Sequence, residues 1–83
     1  MSQEPYRNNQ GVSSSELPAK LKEARERSGL EQAELAQILG LKSDRAIRYI
    51  ESGKRRASDQ RVADWARATG FPLAWFYRDE AVA

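Results

Sequence analysis

The sequence predicts an all-α domain of five short helices, and three observations point there. Apolar residues recur at spacings of three and four along most of the chain. No stretch alternates with a period of two for long enough to make a strand. Four of the five glycines, at positions 29, 40, 53 and 70, each follow one of the periodic segments, where a helix is expected to stop.

The elements follow in order. Ser15 is placed to N-cap the first helix, which brings Pro18 into the opening turn, where its missing N–H is harmless. Leu17, Leu21 and Ala24 form that helix's inward stripe, and Gly29 ends it. The second helix is expected over residues 32–39, with Leu30 and Leu35 at the spacing of a hydrophobic staple. Leu35, Ala36 and Leu39 face inward, and Gly40 supplies the left-handed closing residue. The third helix takes Ser43 as its cap and runs to Ser52 before Gly53, with Ile47 and Ile50 toward the core. A fourth starts at the cap Ser58 and ends at Thr69, its stripe being Val62, Trp65 and Ala66. A short fifth helix over residues 72–77 turns Leu73 and Phe76 inward, next to Phe71. So short an element cannot bury both Trp75 and Tyr77, which are therefore candidates for a contact between two copies of the chain. Residues 1–14 are rich in Ser, Asn, Gln and Gly and read as a disordered arm, leaving an ordered domain over 15–77 and a tail over 78–83.

Composition removes whole classes of chemistry. The chain has neither cysteine nor histidine, so disulfides, thiolate metal sites and the commonest general base are all missing. No nucleophile stands beside a base and no glycine-rich phosphate loop follows a strand, so neither an enzyme nor a cofactor or metal is expected. No apolar run approaches the roughly 18–20 residues that a membrane span needs, and the polar N-terminus lacks the apolar region of a signal peptide. A cytoplasmic protein without membrane contact is the expectation.

The formal net charge is only +2, but its distribution is uneven. Residues 42–61 hold seven basic and three acidic residues, a local charge of +4, against −2 over the rest of the chain. Concentrating positive charge in one segment is what phosphate binding requires. The unit over residues 32–56, which overlaps that segment, joins two short helices by a tight glycine turn and leaves its second helix exposed along one side. That side carries Asp44, Arg45, Arg48 and Tyr49. Arg45, near the leading end, matches the O6 and N7 acceptors of guanine with its forked donors. Tyr49, one turn on, suits a thymine methyl or a phosphate. Asp44 either accepts from cytosine N4 or complements the helix dipole. Arg48 is expected on backbone phosphate. The consecutive cations Lys54, Arg55 and Arg56 are placed to clamp phosphates without reading bases. Gln32, with the free N–H groups at the start of the second helix, is expected at another phosphate, as is Ser43.

The stretch Leu21-Lys-Glu-Ala-Arg, then Gly29-Leu-Glu-Gln-Ala-Glu-Leu-Ala-Gln-Ile-Leu-Gly40, then Ile47-Arg-Tyr-Ile-Glu-Ser-Gly-Lys-Arg55 resembles the Cro and lambda-repressor-like helix-turn-helix family, also called the xenobiotic-response-element type. Ala66-Arg-Ala-Thr-Gly-Phe-Pro-Leu-Ala-Trp-Phe76 looks like that family's last two helices. The resemblance implies a five-helix domain that binds palindromic double-stranded operators as a homodimer. It also implies Gln32 on phosphate, Asp44, Arg45 and Tyr49 toward bases, Lys54 and Arg55 on the backbone, and Glu51 bracing the third helix through a cation such as Arg25. A transcriptional repressor is the expected function, with phage or prophage immunity as a setting. A second reading keeps the fold and changes the task, to the antitoxin of a toxin–antitoxin pair or a restriction–modification controller. Two departures stand out: the turn over residues 40–43 is one residue longer than the family's usual pattern, and Glu31 occupies the place of a Ser, Thr or Asn cap.

Overall fold

The computed structural model describes residues 9–78, and five helices make up this span: α1 (Asn9–Arg27), α2 (Gln32–Ile38), α3 (Arg45–Glu51), α4 (Asp59–Thr69) and α5 (Leu73–Tyr77). Among the described residues there is no strand. The apolar stripes of all five helices converge on Trp65, which is fully buried on α4 beside Val62 and Ala66. Leu21 and Ala24 from α1, Leu35 and Ala36 from α2, Ile47 and Ile50 from α3 and Phe76 from α5 complete the core. Leu17, Leu30, Leu39 and Phe71 pack around it half-buried. A buried aliphatic side chain of this kind contributes about 1.5–3 kcal/mol, so so small a domain depends on every helix supplying its share. The indole N–H of Trp65 donates to the Leu21 carbonyl at 3.0 Å, which satisfies the one polar atom of that ring inside the core.

α1 begins at Asn9, six residues before the expected cap at Ser15. Ser15 is therefore inside the helix, and Pro18 lies in its interior instead of its opening turn. Once a helix is anchored on a core, adding residues upstream costs far less than nucleating it, so the chain stays helical through part of the stretch expected to be disordered. The rest of that arm, residues 1–8, lies outside the described residues, as do 79–83 of the tail.

Two side chains depart from the expected inside–outside pattern. Leu73, assigned to the core, is 45 % exposed. With only five residues, α5 buries a single face, which Phe76 takes, and Leu73 is left at the open end after Pro72. Lys20, in contrast, is buried on α1. Its ammonium donates to the carbonyls of Trp75 and Arg78 and lies 5.4 Å from the centre of the Trp75 ring. A cation there meets the carbonyl end of α5, where the helix dipole favours it.

The turn between α2 and α3 is closed as the sequence implied. Gly40 takes φ +76°, its N–H donates to Gln37, and the Leu41 N–H reaches back to Ala36 at 2.8 Å. A Cβ at Gly40 would meet nothing within 4 Å, so only backbone strain opposes a side chain there. Gly40→Ala should therefore lower unfolding stability by about 1–2 kcal/mol and Gly40→Asn by less, measured from the midpoint of urea denaturation.

Candidate nucleic-acid interface

Glu51, the last residue of α3, has a side chain only 4 % exposed, and three elements meet on its carboxylate. Arg25 of α1 forms a two-pronged bond with it, Nε to Oε2 at 2.6 Å and Nη2 to Oε1 at 3.1 Å. The remaining arm of Arg25 donates to the Leu30 carbonyl at 2.8 Å. Gln32, the first residue of α2, donates its amide to Oε1 at 3.1 Å. The bond to Glu51 holds the Arg25 guanidinium above its ordinary pKa, against the opposing effect of burial. The bracing of Glu51 by Arg25 follows the expectation; the bond from Gln32 does not. One N–H of the amide assigned to a phosphate is occupied inside the protein, and Gln32 is half-buried.

α2 starts from Glu31 as its cap residue, and the Glu34 carboxylate accepts the Glu31 N–H at 2.8 Å. The acids near this helix start thus act on α2 itself, consistent with the favourable position of negative charge there.

α3 begins one residue later than expected. Asp44, not Ser43, is the cap residue, and Arg45 is the first helical position. Ser43 still serves the start, because its hydroxyl oxygen accepts the Arg45 N–H at 3.3 Å. Ile47 and Ile50 are buried, and Arg45, Arg48 and Tyr49 are exposed on the opposite side. Asp44 and Arg48 form an ion pair one turn apart, Oδ1 to Nε at 3.8 Å.

The loop after α3 is mounted on a single carbonyl. With Gly53 at φ +83°, the N–H groups of Lys54 and Arg55 both donate to the Tyr49 carbonyl, at 2.9 and 3.1 Å, and the Ser52 hydroxyl joins them at 3.1 Å. Lys54, Arg55 and Arg56 are exposed, as is Arg45, and among the described residues none of these four has an ion pair or hydrogen bond through its side chain. Unneutralised cations thus stand at the leading end of α3 and in the loop beyond it, on a frame fixed by backbone bonds and a buried carboxylate. No group of acidic residues among the described ones could hold a metal ion, and no described helix is long and apolar enough to cross a membrane.

The family pattern described as "Helix-turn-helix" matches residues 21–76, which takes in the C-terminal part of α1 and all of α2 to α5 except the last residue. The chain belongs to the Cro/CI-type helix-turn-helix family. Members of this helix-turn-helix family bind DNA, and membership makes the chain a DNA-binding transcriptional regulator and not an enzyme. Its fold is also similar to that of a solved structure described as the hypothetical transcription factor NHTF from Neisseria, with a TM-score of 0.75 over 98 % of this chain and 92 % of that one at 16 % identity. At that identity the likeness speaks for the fold. No curated protein matches the sequence.

On α5, Trp75 is half-buried, 4.7 Å from Phe71 and 5.1 Å from Phe76 between ring centres. Tyr77 is 53 % exposed and donates its hydroxyl to Asp59 at 3.3 Å. Partial desolvation, then the charge of Asp59 and that hydrogen bond, push the Tyr77 phenol above its ordinary pKa.

Two measurements check this geometry. Glu51→Ala leaves Arg25 buried without its counter-charge and should cost about 3–5 kcal/mol of unfolding stability, whereas replacing both residues by apolar ones should cost much less. Tyr77 should ionise only at a pH above that of a free tyrosine, seen by ultraviolet absorbance, and Asp59→Asn should bring it part of the way back, since burial remains. Because the folded-state value is raised, whatever stability this contact contributes is present at neutral pH and is lost only as the pH climbs through that alkaline value.

Proposed function

We propose that the chain is a sequence-specific repressor that seats α3 in the major groove of a double-stranded operator. The observation that carries this reading is that Arg45 at the start of α3 and Lys54, Arg55 and Arg56 in the loop after it are exposed and unpaired, the loop being mounted on backbone bonds. Arg45 and Tyr49 face base edges, with Arg45 reading guanine through its two donors. Lys54, Arg55 and Arg56 hold phosphates and set the register, helped by Ser43 and by the outer N–H of Gln32. Binding is to a palindromic site as a homodimer, through the exposed side of α5 where Tyr77, Leu73 and part of Trp75 meet solvent. Occupying the operator excludes other proteins from it, which is why repression is favoured, in the cytoplasm of a cell or of an infected host.

Selection of bound sites from a random duplex pool gives the operator and the spacing of its half-sites. On that operator Arg45→Ala should cost about 1–3 kcal/mol and relax the preference at one base pair. Lys54→Ala should weaken all duplexes evenly and reduce the salt slope by about one. Variants that bind operator and random DNA as tightly as the wild type would defeat the proposal.

A further inference from the structure

We propose that Arg48 reads a guanine base and that Asp44 is the positioning residue that aims it. This inference rests on α3 being the groove-facing helix. The sequence assigned Arg48 to a phosphate as lying further round the helix, and the buried faces argue against that. At roughly 100° per residue, the direction opposite Ile47 and Ile50 falls between Arg45 and Ser52. Arg48 and Tyr49 then flank that direction on either side at similar angles, and the Arg48 side chain is 51 % exposed. Arg48 is as well placed to reach a groove floor as Tyr49.

The behaviour of Asp44 supplies the second observation. A cap aspartate normally spends its carboxylate on the free N–H groups of the first turn. Asp44 makes no such bond, although Ser43 accepts the Arg45 N–H. The carboxylate of Asp44 lies instead beside Nε of Arg48. An acid in that position occupies the inner edge of the guanidinium and leaves the two terminal Nη groups at its tip, where two parallel donors match O6 and N7 of guanine. The same acid is a poor neighbour for a phosphate clamp, because it repels the phosphate it stands beside. In water so exposed a pair is weak. Once the groove is closed against the helix and water is displaced, the same charges act through a lower dielectric and the brace strengthens.

The test compares sites selected from a random duplex pool by the full chain and by Arg48→Ala, Arg48→Lys and Asp44→Ala, with binding measured over a range of salt. Both Arg48 variants should lose a guanine preference at one position of the half-site by roughly tenfold or more, with the other positions kept. Arg48→Lys keeps the charge, so a loss under this variant comes from the missing fork. Asp44→Ala should flatten the same position although Arg48 is intact. The inference is overturned if Arg48→Ala weakens operator and scrambled duplex alike and lowers the salt slope by about one, which is the signature of a phosphate contact. It is equally overturned if Asp44→Ala tightens binding to every sequence and keeps the base preference. A wild-type chain that enriches no site overturns the groove reading itself, and that failure is visible before any variant is made.

Discussion

The two-pronged bond between Arg25 and Glu51 is the constraint on which the interface depends. Its worth is geometric more than energetic. Taking both charges out of water costs several kcal/mol per ion, which their mutual attraction roughly offsets, so the pair contributes little net stability. What it fixes is direction. Glu51 ends α3, Arg25 lies in the last turns of α1, and Gln32 opens α2, so one carboxylate sets the relative positions of three helix ends. Apolar packing of Ile47 and Ile50 holds α3 against the core without specifying how it is turned; the hydrogen bonds at its end add that specification.

On this frame the charges divide by task. The buried ones are paired and structural: Arg25 with Glu51, and Lys20 on the carbonyl end of α5. Four of those that face outward, Arg45, Lys54, Arg55 and Arg56, carry no partner among the described residues. A net charge of +2 conceals this division, because the acids are concentrated elsewhere in the chain. The fold likeness at 16 % identity has the same origin. A five-helix domain of this kind requires small and apolar residues at a few spacings and glycine at helix ends, and many sequences satisfy that.

Most of the fold was legible because it is written in local rules. The stripes at three and four, the cap Ser58 and the closing glycines are each a few residues long, and their physics does not depend on distant neighbours. Where position depended on tertiary context, the sequence fell short. Ser15 has the chemistry of a cap, yet nothing local says whether the helix has already begun before it. Leu73 has the chemistry of a core residue, but only the brevity of α5 decides that Phe76 excludes it. The burial of Lys20 follows from α5 returning to α1 some 55 positions later in the chain, which no local pattern announces. At the candidate interface the residue types were legible and the family pattern supplied Arg25 for Glu51. The bond from Gln32 was not, since an amide can serve a phosphate or a carboxylate equally well.

The Tyr49 carbonyl, which gathers the amides of Lys54 and Arg55, has a consequence for how such a surface changes over time. The loop is hung from main-chain atoms, so exchanging the cations it displays alters charge without disturbing their mounting. The charge of the loop can drift residue by residue while α3 stays in alignment, and proline is the side chain that this arrangement forbids at either position, because it would delete the donor.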